Sequence, residues 1–394
     1  MDNLRIVVTG LIGSIPLAGL ALQYLQYVLG LRALGHDVLY LEDTGVWCDG
    51  RYAQERVEYP CRVADGLGKM MQAHGLADAW AFVDGWGQSH GLSRPKLAGF
   101  LKTADLLINV AGAGLMRDEY LQVPRRVYVD TDPGCVQFRI AQGSEKDLEH
   151  LKQYNAHLSF GCNIGMPGCL IPTLGFDWRP TVQPICLGLW PVALVPASGA
   201  PCTTVLKWNT YDPIEVKGEL HGFKDLEFVK FQQLPQRTNQ PFELAMVGNP
   251  PVESLETQGW RCRCGTEISS SIDAYRRYIH GSRAEWSVAK HGYVEMRSGW
   301  FGGRSAAYLA SGRPVVTQDT GFSDWLDVGA GVVAFTTLQE AVAGIESINS
   351  NYKHHCQAAR DTAQRCFDAN KVLPRLINDA VVKSKGRLPA TVLA

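Results

Sequence analysis

The chain has 394 residues, 46% of them hydrophobic and 20% charged, with a net charge of −1. That length exceeds one core and predicts two domains of about 150–200 residues, while the near-neutral balance excludes a broad basic field for nucleic acid, though not a local groove. No apolar run reaches the roughly 18–20 residues of a membrane span, and eleven scattered cysteines behind a start that does not read as a signal peptide predict reduced thiols and a cytoplasmic protein.

Leu4–Thr9 reads as a short apolar strand that runs into Gly10-Leu11-Ile12-Gly13-Ser14. A long helix follows from about Leu17 to Leu34, stopped by Gly35, and His36–Leu41 is the next strand, closed by Glu42 and Asp43. Strand, helix and strand within about 40 residues make a βαβ unit, so the sheet is expected to be parallel. Gly10 and Gly13 lack the full G-x-G-x-x-G spacing, which leaves a tight turn or an opening towards a cleft. Further strands are predicted at Ala79–Val83, Leu106–Val110, Arg126–Val129 and His157–Phe160, with helical patterns between them. This is a doubly wound α/β domain.

Proline recurs from Pro167 to Pro201, and Ser198-Gly199-Ala200-Pro201 is the expected linker. Strands are then predicted at Thr203–Trp208, Phe242–Val247, Trp260–Cys262, Ala284–Val288, Pro314–Thr317 and Val332–Phe335. Helices fit Asp225–Gln233, Ser271–His280, Gly303–Ser311, Leu338–Ser347, Asn351–Phe367 and Val372–Lys383. The expected division is 1–197, 198–370 and a C-terminal helix within 371–394. Cys262-Arg263-Cys264 lacks the further ligands of a structural zinc site, and no metal site is predicted.

The densest signal runs from Ser287 to Gly321. It reads as strand, glycine turn, short helix, glycine stop, apolar strand and polar loop. Gly302 and Gly303 allow close backbone approach, Ser305 can cap the helix they open, and Arg304 adds a positive charge. A helix start offers free amide protons and favours negative charge, so it is a natural anion site. The loop Gln318-Asp319-Thr320-Gly321 is placed at the carboxyl end of a parallel strand, where open α/β sheets bind ligands. Together these predict a site for a phosphorylated ligand with a polar head group.

Residues 283–335, with Ala310-Ser311-Gly312-Arg313-Pro314-Val315-Val316 at their centre, resemble the donor-binding half of the GT-B glycosyltransferases. The resemblance implies two Rossmann-like doubly wound domains facing a cleft, with the last helix crossing back to the first domain. It implies that the helix start holds the diphosphate of a nucleotide sugar, UDP- or GDP-linked, as co-substrate with no other cofactor, and that the following loop touches the sugar. Many retaining members carry two glutamates eight positions apart here. This chain has Gly299 and Ala307 at those places, which leaves the nucleotide and the stereochemical outcome open.

A helix start is too weak alone for a dianion, at roughly 0.3–1 kcal/mol for an exposed charge. A second cation is therefore expected, from Lys207, Lys224 or Lys290, with Lys207 favoured because it ends a strand. The expected donor site comprises Lys207, Lys290, Arg297, Ser298, Gly302, Gly303, Arg304, Ser305, Gln318, Asp319, Thr320 and Gly321. Arg297 has an alternative as an ion pair with Glu295 or Asp319. In the first domain, Arg126–Asp132 is an apolar strand ending in two carboxylates before Pro133-Gly134. Asp132 or Asp130 can take a proton from an acceptor, with helix capping the alternative for Asp132. His90 and His157 are other candidate bases.

The expected function is metal-independent transfer of a sugar from a nucleotide sugar to an acceptor hydroxyl or amine. The alternatives are a nucleotide-sugar 2-epimerase on the same architecture and a non-catalytic sugar-nucleotide-binding protein. The acceptor stays open among small molecule, saccharide, protein and modified nucleic acid.

Overall fold

The structure is a computed structural model and describes residues 3–43, 45, 53–208, 214–216, 219–221 and 224–381. Its first sheet contains β1 (Arg5–Thr9), β2 (Asp37–Glu42), β3 (Trp80–Val83), β4 (Ser89–Gly91), β5 (Leu106–Val110), β6 (Arg125–Asp130), β7 (Ala156–Ser159) and β8 (Trp178–Pro180), in the order β4-β3-β2-β1-β5-β6-β7-β8. Every neighbouring pair is parallel except β3 and β4. The central strands are apolar runs, as strands buried on both faces must be: Val7, Val8, Leu107 and Ile108 are fully buried.

The second sheet contains β9 (Cys202–Lys207), β12 (Phe242–Val247), β13 (Arg261–Cys264), β14 (Glu285–Ser287), β15 (Val315–Gln318) and β16 (Val332–Phe335). Its order is β13-β12-β9-β14-β15-β16, parallel throughout. Between β9 and β12 lies a hairpin, β10 (Ile214–Val216) and β11 (Glu219–His221). In each sheet the strand order reverses beside the first strand of the domain. The carboxyl ends at these two reversal points are where such sheets open a crevice.

The first helix, Ala18–Ala33, has buried residues all round because it lies between the two domains. Leu25 and Val28 join the core of the first sheet, whereas Ala18 and Leu22 pack with Tyr275, Ile279 and Phe301 of the second domain. The C-terminal helix, Ala369–Val381, crosses back to the first domain, where Leu373, Leu376 and Ile377 complete the core beneath the first sheet. Lys383, the expected end of this helix, lies outside the described residues. The two chain crossings run side by side, since Ile185 donates to Phe367 O and accepts from Ala369 N. No helix among the described residues is long and apolar enough to cross a membrane.

Candidate active site in the interdomain cleft

A cavity of about 740 Å³ lies between the two domains. Its first-domain wall includes Leu11 and Ile15 from the loop after β1 and Asp130 and Asp132 from the end of β6. Its second-domain wall includes Lys207 at the end of β9 and the turn Gly302-Gly303. That volume falls within the range of small-molecule sites.

The helix Gly303–Ala310 opens on this cavity, with Gly302 as N-cap and no side chain capping it. Ser305 is buried three residues into the helix and does not cap, which corrects the sequence expectation. The first amides of a helix have no intrahelical acceptor, so the glycine turn presents donors to the cleft. A Cβ at Gly303 would press on Gln183 at 3.1 Å, so the turn is also closely packed from the first domain.

Arg304 departs from expectation. Its Nε donates to Glu285 on β14 and its Nη1 donates to Val205 O at 2.7 Å. Glu285 is wholly buried and the Arg304 side chain is 15% exposed. The guanidinium borders the cavity, but its charge is matched by a buried carboxylate, so it braces the turn rather than standing free for a phosphate. Lys224, at the start of the short helix Lys224–Phe228, also borders the cavity. No residue among the described ones pairs with its ammonium. Burial, then the neighbouring Arg304 and Lys290, pushes its pKa well below the ordinary lysine value, against a partial offset from Glu285. A cation so placed is stabilised by any anion that enters the cleft.

The carboxylates at the end of β6 have separate duties. Asp130 is buried and accepts from Gln137 Nε2 at 2.9 Å, Ser159 Oγ at 2.8 Å and Asp132 N at 3.1 Å. Burial outweighs these bonds and pushes its carboxyl up to about 6. Asp130 thus orders the turn that carries Asp132. The Asp132 side chain reaches across the cleft, 2.6 Å from Lys290 Nζ, and accepts from Tyr293 Oη. It does not cap the following helix, whose N-cap is Gly134.

Other expected site residues lie elsewhere. The antiparallel β3–β4 hairpin carries His90 to the sheet edge, where Nε2 lies 3.1 Å from Asp84. Five strand spacings of about 4.8 Å separate β4 from β6, so His90 cannot serve the same reacting atom as Asp132. His157 is buried among Tyr154, Phe176 and Trp178, with its Nε2 on Leu151 O. Arg297 pairs with Asp324, not with Glu295 or Asp319. Ser298 is buried and donates to Tyr293 O. The loop after β15 supports the glycine turn from outside the cavity. Gln318 donates to Glu227 and accepts from Ala289 N, Asp319 accepts from Gly321 N and Ser323, and Thr320 Oγ1 donates to Trp300 O. Gly321, at φ +87°, lies against Asn163.

Asn163 also explains the missing glutamate at Gly299. Gly299 has φ +74°, and a Cβ there would meet Asn163 at 2.7–2.8 Å. This first-domain side chain fills the slot and donates to Gly321 O at 2.9 Å. The sequence did not reveal Glu285, Tyr293 as the partner of Asp132, or the plugging of the first glycine turn. In that turn the buried Glu42 accepts from Gly13 N at 2.8 Å and Ser14 N at 2.6 Å. The chain's own carboxylate thus occupies the amide cradle of the first domain, which leaves the second domain's cradle for an external anion.

No family model and no curated protein matches the chain. Solved structures do. An alpha-glucosyltransferase in complex with UDP and a 13-mer DNA containing an HMU base is 11% identical, with a TM-score of 0.58 over 97% of this chain and 100% of that one. A glycosyltransferase from Rickettsia africae is 12% identical, with a TM-score of 0.53 over 96% and 98%. A sucrose-phosphate synthase from Thermosynechococcus elongatus is 11% identical, with a TM-score of 0.51 over 95% and 97%. The chain has the GT-B fold, with two Rossmann-like domains facing a cleft and the last helix returning to the first.

Proposed function

We propose that the chain is a glycosyltransferase that moves a hexosyl group from a UDP- or GDP-linked sugar to an acceptor hydroxyl or amine, without a metal ion. The observation that carries this reading is the ammonium of Lys224, which has no ion-pair partner among the described residues, bordering the same cavity as the start of the Gly303 helix, which no side chain caps. A diphosphate placed there meets backbone donors, Lys224 and the nearby Lys207. These groups are fixed before the reaction and stabilise the charge that grows on the leaving phosphate.

The acceptor enters from the first-domain wall, along Leu11 and Ile15 and facing Trp300 of the second domain. Asp132 faces the donor side from that wall and takes the proton of the attacking group, a contribution of roughly 100–10,000-fold. Asp130, held by Gln137 and Ser159, orients it. The acceptor belongs to one of the classes that the sequence left open.

A thermal-shift screen of UDP- and GDP-sugars tests the donor assignment. A ligand at 100 times its Kd stabilises the fold by about 2.7 kcal/mol, so the true donor raises Tm clearly. A donor-hydrolysis assay then separates the chemistries. Slow release of free sugar supports a transferase, interconversion of donors supports an epimerase, and binding with neither supports a sensor. If no nucleotide sugar raises Tm, the reading fails.

A further inference from the structure

We propose that Lys290 is a shared cation that leaves Asp132 for the donor's diphosphate, so that donor binding uncovers the carboxylate that serves the acceptor. This rests on the donor reading above and adds an order of events to it. Both oxygens of Asp132 are engaged: Oδ2 lies 2.6 Å from Lys290 Nζ, and Oδ1 accepts from Tyr293 Oη. Each oxygen of Asp132 is already held by a second-domain group, so an acceptor hydroxyl entering the cleft has to share it with Lys290 or Tyr293.

The contact spans the cleft. Asp132 follows β6 of the first domain, and Lys290 and Tyr293 follow β14 of the second. Neither charge is locked in a core, since the side chains of Lys290 and Asp132 are 24% and 41% exposed. Lys290 also lines the same cavity as Lys207, Lys224 and the Gly302-Gly303 turn. An entering diphosphate carries more negative charge than Asp132 and reaches the same ammonium. Tyr293 packs on Trp300 with ring centroids 4.8 Å apart, which ties the Asp132 contact to the segment that leads into the glycine turn.

Exchange and simple positioning predict opposite signs. If Asp132 only holds Lys290 in place for phosphate, its removal weakens diphosphate binding. If the two anions compete for Lys290, its removal strengthens binding. The test is calorimetric titration of UDP, GDP and inorganic pyrophosphate into the full chain and its Asp132→Asn, Lys290→Ala and double variants at fixed ionic strength. The expected result is about tenfold tighter binding by Asp132→Asn, about tenfold weaker binding by Lys290→Ala, and no effect of Asp132→Asn in the Lys290→Ala background. Asp132→Ala replaces Asp132→Asn if the latter does not fold. Unchanged or weaker binding by the Asp132 variant, with wild-type affinity intact, overturns the exchange alone. Absence of all diphosphate binding by the wild type overturns the donor reading and the exchange with it.

Discussion

Two cations that border the same cavity, Lys224 and Arg304, are expected to behave oppositely when removed. Lys224 has no ion-pair partner among the described residues, so Lys224→Ala costs the fold nothing in lost pairing and relieves an unfavourable burial. Its Tm should hold or rise while nucleoside-diphosphate affinity falls by roughly 1.5–3 kcal/mol, the range for hydrogen bonds to charged groups. Arg304→Ala instead leaves the wholly buried Glu285 unpaired, a change that typically costs about 3–5 kcal/mol, so its Tm should fall sharply. Thermal melts and calorimetry on both variants decide this. An Arg304→Ala protein with unaltered Tm, or a Lys224→Ala protein with unaltered affinity, contradicts the assignment. The sequence places Arg304 at the helix start as a positive charge for the anion. It does not reveal Glu285, nineteen positions earlier, because that pairing is made by the packing of β14 against the helix rather than by spacing.

Asp130 gives a residue-scale prediction with a definite sign. Its folded pKa is raised to about 6 from 3.8, so between those values the folded state binds more protons than the unfolded state. Wild-type stability contributed by this group is therefore present below about pH 4 and lost as pH rises to about 6. Asp130→Asn does not titrate. Its stability relative to wild type should rise by roughly 2–3 kcal/mol from pH 4 to pH 6.5, measured by denaturant unfolding at each pH. A flat difference would mean that Asp130 stays ionised throughout.

At the scale of elements, the central strands were legible because parallel strands buried on both faces are unbroken apolar runs. Phe242–Val247 and Val332–Phe335 match their predicted limits. The three-residue strands Ser89–Gly91 and Trp178–Pro180 were not legible, since an edge strand carries no such pattern. The glycine turn and its helix were readable for a similar local reason. The place of the polar loop after β15 was not, because its contacts with Trp300 and Glu227 come from other elements. The same limit hid the meaning of Gly299, whose neighbour Asn163 lies in the other domain. Gly299→Glu should therefore not restore a family-like sugar contact. It should destabilise the fold by about 1–3 kcal/mol through overpacking and the strain of a positive φ. A variant that melts like wild type and binds donor more tightly would show that Asn163 can vacate the slot.

At the scale of the whole molecule, the charge arrangement of the cleft argues for protein cations in the place of a divalent ion. Lys207, Lys224 and Lys290 border the cavity beside Arg304, while its carboxylates are turned to other tasks. Asp130 accepts from Gln137, Ser159 and Asp132 N, and Asp132 is held by Lys290 and Tyr293. A manganese ion on this pair would have to displace an ammonium and sit among three like charges. The other group with ligand-like spacing among the described residues is Glu227, His291 and Glu295. There Glu227 already accepts from Lys230 and Gln318 and contacts His291 Nδ1. Chelation with EDTA should therefore leave turnover within about twofold, and added manganese should not raise it, because fixed donors supply the stabilisation that a metal would otherwise give. Loss of activity on chelation and recovery with manganese would overturn this. Asp132→Asn and Glu295→Gln would then locate the ion, since only the variant that removes a true ligand should weaken manganese binding.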